Sequence, residues 1–93
     1  MSEPAVLYFS APWCQPCKKY LPVVAKEAEA AGVELEVLNV DSEEGGALAA
    51  LHVVQQVPTL TFIDADGNGT SYAGPRPRSA VRQLFADWKE AIS

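Results

Sequence analysis

The sequence predicts an α/β fold of element order β-α-β-α-β-β-α, with a central four-stranded mixed sheet flanked by three helices, in one domain over residues 1–93. Three observations predict it. The apolar run Ala5-Val-Leu-Tyr-Phe9 passes into a helical pattern and then into a second apolar run, which reads as a right-handed β-α-β unit. The stretch Asp64-Ala-Asp-Gly-Asn-Gly69 is dense in turn residues and separates two short runs, as in an antiparallel hairpin. The C-terminal segment carries Val81, Leu84, Phe85, Trp88 and Ile92 at helical spacing.

Residues 5–9 are apolar without alternation and read as a strand buried on both faces. A helix over about 15–31 follows from Leu21, Val24, Ala28 and Ala31, with Gly32 as its stop. Pro22 removes one backbone donor inside it, which predicts a kink there. Val33 to Val40 is the second strand, with Val33, Leu35 and Val37 alternating with Glu34 and Glu36. Asp41 and Glu44 have the spacing of a capping box for a short helix over roughly 42–52. Gly45 and Gly46 weaken that helix, and Leu48 and Leu51 are expected to face the core.

Val57 to Ile63 is the third strand, and Pro58, which cannot donate to a ladder, is confined to its opening or to an edge. Thr70 to Ala73 is the return strand of the hairpin, and Gly74-Pro-Arg-Pro-Arg78 is a stiff connector. The last helix covers about 78–91, with Pro77 suited to its first turn.

The chain has 93 residues, a net charge of −5 and 48% hydrophobic residues, enough for one core without staples. The negative balance argues against nucleic acid or an anionic membrane surface as the main partner. No apolar run reaches the roughly 18 residues of a membrane span. The start, Met1-Ser-Glu-Pro, lacks the basic and apolar regions of a signal peptide, so a cytoplasmic location is the expectation.

Both cysteines lie in Trp13-Cys14-Gln15-Pro16-Cys17-Lys18, where the first strand gives way to the first helix. Two thiols at this spacing can close into a disulfide. The first meets unpaired N–H groups and the positive end of the helix dipole. Both favour the thiolate, the species that attacks disulfides. A structural zinc site needs four ligands, and only His52 and carboxylates remain to complete one. His52 alone reads as a helix cap or a surface residue. Asp64 to Gly69 faintly echoes a calcium loop but has no Glu at its twelfth position.

These residues resemble the thioredoxin family, and the likeness covers nearly the whole chain. Ala11 and Trp13-Cys14-x-Pro16-Cys17-Lys18 match its active-site pattern, with Gln15 where the family usually has Gly. Pro22 matches its helix proline, Leu38-Asn-Val-Asp41 its second core strand, Val57-Pro58-Thr59 its cis-proline loop, and Gly74 the glycine lining its substrate groove. The resemblance implies a thioredoxin fold in the compact form shared with glutaredoxins, since only about four residues precede the first strand. It implies Cys14 as nucleophile and Cys17 as resolving thiol, supported by Trp13, Gln15, Pro16 and Lys18. Val57, Pro58, Thr59, Ala73, Gly74 and Arg76 are implied at the substrate face, with Pro58 cis. Lys18, Arg76 and Arg78 form a candidate basic rim.

The implied activity is protein-disulfide reduction by a monomer without bound cofactor, with electrons from NADPH through a thioredoxin reductase. Disulfide-bearing clients such as ribonucleotide reductase follow by analogy. The alternatives are a glutathione-dependent glutaredoxin, an oxidant or isomerase, and a binding subunit whose cysteines are dispensable. Against the glutaredoxin, the motif is Cys-Gln-Pro-Cys and no Gly-Gly-x-Asp loop stands near Ala73-Gly74.

Two further positions depart from the pattern. Tyr8 stands six residues before Cys14, where the family has a buried Asp, and Val37 stands where it has a Lys. Tyr8 cannot serve as a carboxylate, so proton loss from Cys17 is expected to rely on water or another group. Restoring the acid with Tyr8→Asp is expected to speed resolution of mixed disulfides.

Overall fold

The computed structural model describes residues 3–93, so the first two residues of the Met1-Ser-Glu-Pro start lie outside the described residues. The elements are β1 (Ala5–Ser10), α1 (Gln15–Ala30), β2 (Leu35–Asn39), α2 (Glu43–Leu51), β3 (Thr59–Ile63), β4 (Gly69–Ala73) and α3 (Arg78–Ile92). They form one four-stranded sheet of order β2-β1-β3-β4. β1 runs parallel to β2, with Tyr8 opposite Val37, and antiparallel to β3, with Tyr8 opposite Leu60. β3 and β4 form the hairpin, pairing Thr59 with Ala73 and Ile63 with Gly69.

The lack of alternation in β1 has a direct cause. Val6 and Tyr8 face the α1–α3 layer with Tyr20, Val24, Leu60, Phe62, Val81 and Phe85. Leu7 and Phe9 face the α2 side with Leu38 and Ala49. β3 instead alternates: Leu60 and Phe62 enter the larger cluster, while Thr59 and Thr61 point the other way and hydrogen-bond to Gln56 O (2.7 Å) and Ser71 Oγ (2.8 Å). Phe62 meets Phe85 edge-on at 5.1 Å, and Trp88 Nε1 donates to Ile63 O at 2.9 Å, so α3 is both packed and pinned against β3.

α1 runs through Pro22 without a break and closes in a Schellman turn, with Val33 N–H on Ala28 O and Gly32 in the left-handed region at φ 71°. Val33 therefore belongs to this turn, and β2 starts two residues later than the sequence suggests. Lys89 Nζ donates to Ala31 O at 2.6 Å, placing a cation at the C-terminus of α1. Glu27 is buried between the same helices, with Arg82 Nε 3.1 Å and Nη2 3.4 Å from its carboxylate oxygens. That pairing holds the Glu27 carboxyl below its usual range.

Three sequence expectations change here. The cap of α2 is Ser42, not Asp41: its Oγ accepts from Gly45 N at 3.0 Å and donates to Asn39 O at 2.7 Å. Gly45 is more than a weak helix former, because a Cβ there would overlap the Asn39 carbonyl and lie 2.9 Å from Ser42 Oγ. Leu51 is 71% exposed, and Ala49 takes the core position beside the half-buried Leu48, because the helix turns that face to Leu7 and Phe9. The turn after α2 repeats the Schellman pattern, with Val54 N–H on Ala49 O, but here Val53 occupies the left-handed position at φ 54°.

Candidate active site

Cys14 and Cys17 are joined as a disulfide at the start of α1, with Cα atoms 5.3 Å apart. Both are buried against Ala11, Val40 and Val57. Cys14 is the N-cap of α1, and its sulfur accepts the Cys17 N–H at 3.2 Å. A donor of the helix terminus is thus already aimed at the sulfur that reduction would leave charged, which favours thiolate over thiol. Pro16, in the first turn, sits where a missing N–H costs the helix nothing. Gln15 and Lys18 lie exposed on the same turn.

Trp13, which directly precedes Cys14, is 67% exposed. Its Nε1 donates to Asp41 Oδ2 at 2.8 Å, which fixes the indole across the end of β2. No local signal marks Asp41 as the partner of this ring; a carboxylate closing β2 near a predicted helix reads as a cap.

Opposite the disulfide, the Val57–Pro58 bond is cis, as the resemblance implies. Pro58 is buried and its carbonyl accepts the Gly74 N–H at 2.8 Å, tying this loop to the end of β4. The ladder to β1 and β4 begins at Thr59, so the Val57 N–H and C=O stand outside it. Gly74 takes φ 84°, and a Cβ there would meet nothing within 4 Å, so the glycine serves the turn and leaves open space above it.

The candidate basic rim is only partly assembled. Arg76 lies 5.3 Å from the Tyr72 ring centroid and donates to Ala73 O at 3.3 Å, so its guanidinium folds back over β4. Arg78 turns to Glu27, 3.9 Å away on α1, rather than toward the disulfide. His52 closes α2, with its ring 6.5 Å from Phe9.

Behind the disulfide, Tyr8 is fully buried and its hydroxyl donates to Cys17 O at 2.7 Å. Burial, with Tyr20 adding to it, pushes the Tyr8 phenol well above its ordinary range. The group is therefore a neutral donor, fastened to the first turn of α1 and 6.0 Å from the Tyr20 ring. Val37, paired with Tyr8 across β1–β2, is 50% exposed and carries no charge toward this place.

Comparison with known proteins decides what this arrangement belongs to. The thioredoxin family model matches residues 1–87. The chain belongs to the thioredoxin family. The thioredoxin of Bacillus subtilis is 32% identical over 84 residues, covering 89% of this chain and 81% of that protein. The thioredoxin of Pyropia yezoensis is 30% identical over 78 residues, covering 84% and 73%. Among solved structures, a mutant thioredoxin from Halobacterium salinarum superposes with a TM-score of 0.81 at 30% identity, covering 99% of this chain and 80% of that one. The fold is the thioredoxin fold, and the protein is a thiol-disulfide oxidoreductase with a redox-active Cys14–Cys17 pair.

Proposed function

We propose that the protein is a reductase of the thioredoxin type, acting on protein disulfides. The observation that carries this reading is the Cys17 N–H on Cys14 Sγ at 3.2 Å, beside the cis Val57–Pro58 loop. The N-cap sulfur is the one favoured as thiolate, so Cys14 is the nucleophile. The thiolate attacks one sulfur of a client disulfide, and the other client sulfur leaves as a thiolate. Cys17 then attacks Cys14 in the mixed disulfide, releasing the second client sulfur and re-forming the Cys14–Cys17 bond.

Val57 offers its N–H and C=O to an extended client segment, in the manner of an added strand, with Pro58, Thr59, Ala73 and Gly74 shaping that wall. Trp13 closes the opposite side. Because Tyr8 is held neutral and spent on Cys17 O, the proton of Cys17 leaves to water or to the departing client sulfur. Electrons then come from NADPH through a thioredoxin reductase, with no cofactor on the chain itself. Clients are disulfide-bearing proteins, ribonucleotide reductase among them. This direction of transfer suits a reducing compartment such as the cytoplasm.

A Cys17→Ser variant tests the reading. It should hold clients as mixed disulfides on Cys14, visible by mass spectrometry and released by dithiothreitol. A variant that traps nothing, or a Cys14→Ser protein that still reduces disulfides, would refute the assignment.

A further inference from the structure

Two apolar hollows flank the disulfide and share no residue. One, of about 180 Å³, lies on the Trp13 side, between that ring and residues 54–57. The other, of about 380 Å³, lies on the α1 side, lined by Gln15, Pro16, Lys19, Tyr20, Val23 and Pro75. The second is continuous with the redox face: Gln15 and Pro16 separate the two cysteines, and Pro75 follows Gly74 in the connector. Its wall is Pro16, Val23, Pro75 and the buried Tyr20, and Lys19 is the one charged residue among its lining.

Charge is divided about the disulfide in the same sense. Lys18 and Lys19 are exposed on the α1 side, whereas Asp41, Glu43 and Glu44 are exposed at the start of α2, on the side of Trp13. Burial pushes the Tyr20 phenol upward, and the Arg76 charge and backbone amide in the connector oppose it.

We propose that this hollow is a client subsite. It takes one large apolar side chain, aromatic or leucine-sized, from a polypeptide whose disulfide is being reduced, with a neighbouring client carboxylate meeting Lys19. The proposal rests on the reductase reading and adds to it a side-chain preference and a polarity: the acidic end of the client lies toward α1. Continuity with the redox face supplies the apolar anchor, and the division of charge sets the orientation.

The test measures second-order rate constants of the reduced protein with disulfide-linked peptides. Each carries Phe or Ala at one of the two positions on either side of the cystine, with Glu or Lys beside it. Phe at one of these positions should raise the rate about tenfold over Ala. Val23→Trp, which fills the hollow, should bring that ratio close to one. Lys19→Glu needs no repacking and keeps the test decisive if Val23→Trp fails to fold. It should slow the Glu-bearing peptide about threefold relative to the Lys-bearing one. Equal rates for Phe and Ala at every position would overturn the subsite while leaving the reductase reading intact. So would a Phe preference that survives Val23→Trp, or a charge preference indifferent to Lys19→Glu. Failure to reduce any of the peptides would refute the reductase reading, and the subsite with it.

Discussion

Replacing Tyr8 by Phe separates what its ring does from what its hydroxyl does. The ring fills a fully buried place beside Tyr20 and Leu60, and Phe keeps it. The hydroxyl makes one bond, to Cys17 O at 2.7 Å. Losing a neutral buried hydrogen bond costs about 1 kcal/mol, which for a domain of this size lowers Tm by roughly 4–8 °C. Resolution of mixed disulfides should keep its pH dependence, because a phenol held neutral exchanges no proton with Cys17 near neutral pH. Thermal melts of the oxidised protein give the first quantity, and stopped-flow release of a thiol from the Cys14 mixed disulfide between pH 6 and 9 gives the second. A displacement of that pH profile by about one unit, or more, would show that Tyr8 takes part in proton transfer and would refute the reasoning. Tyr8→Asp, which the resemblance suggests as a restored acid, is the poorer probe. It would empty the ring's place in the core at a cost of roughly 3–5 kcal/mol.

The raised phenol of Tyr8 also fixes a sign. Its folded-state affinity for the proton exceeds the unfolded one, so its contribution is fully present below pH about 10 and is lost as pH rises beyond it; Tyr8→Phe should resist alkaline unfolding relative to its own neutral-pH stability. Glu27, held low chiefly by its hydrogen bond from Arg82, acts in the opposite sense: its contribution is present above the unfolded carboxyl range near pH 4 and fades as pH falls, so Glu27→Gln should lower Tm more at pH 7 than at pH 3. Val53 holds a β-branched side chain at φ 54° while 73% exposed, so Val53→Asn should stabilise the protein by about 0.5–1 kcal/mol, read as a higher urea midpoint at unchanged slope. Gly45→Ala should destabilise by about 2 kcal/mol, since its Cβ meets the Asn39 carbonyl at the fixed end of β2; a neutral result would mean that α2 can shift on the sheet.

Every element was legible in the sequence because periodicity, turn chemistry and helix stops agreed on its type and placed its ends within two residues, the largest differences being the later starts of β2 and β3. The runs in β1 and α3 and the Asp64–Asn68 turn, where Asp64 Oδ1 accepts from Asp66 and Asn68 N–H, are local signals with local causes. The cysteine motif was equally local. What escaped depends on pairs distant in the chain. Asp41 reads as a helix cap until the Trp13 indole, 28 residues earlier, claims its carboxylate and leaves the cap to Ser42. Arg78 reads as part of a basic rim until Glu27 on another helix draws it away. Leu51 reads as core because helical spacing alone cannot say which face of a short, apolar-rich helix meets the sheet. Val53 had no signal at all, since nothing in its neighbourhood marks a left-handed position that glycine usually fills.

The central proposal is that the Cys14–Cys17 pair carries electrons from NADPH, through a thioredoxin reductase, to protein disulfides. The most direct measurement is insulin disulfide reduction coupled in parallel to NADPH with thioredoxin reductase and to glutathione with its reductase. The account predicts turnover in the first system that vanishes with Cys14→Ser. Turnover confined to the glutathione system, or undiminished in the Cys14→Ser protein, would contradict it.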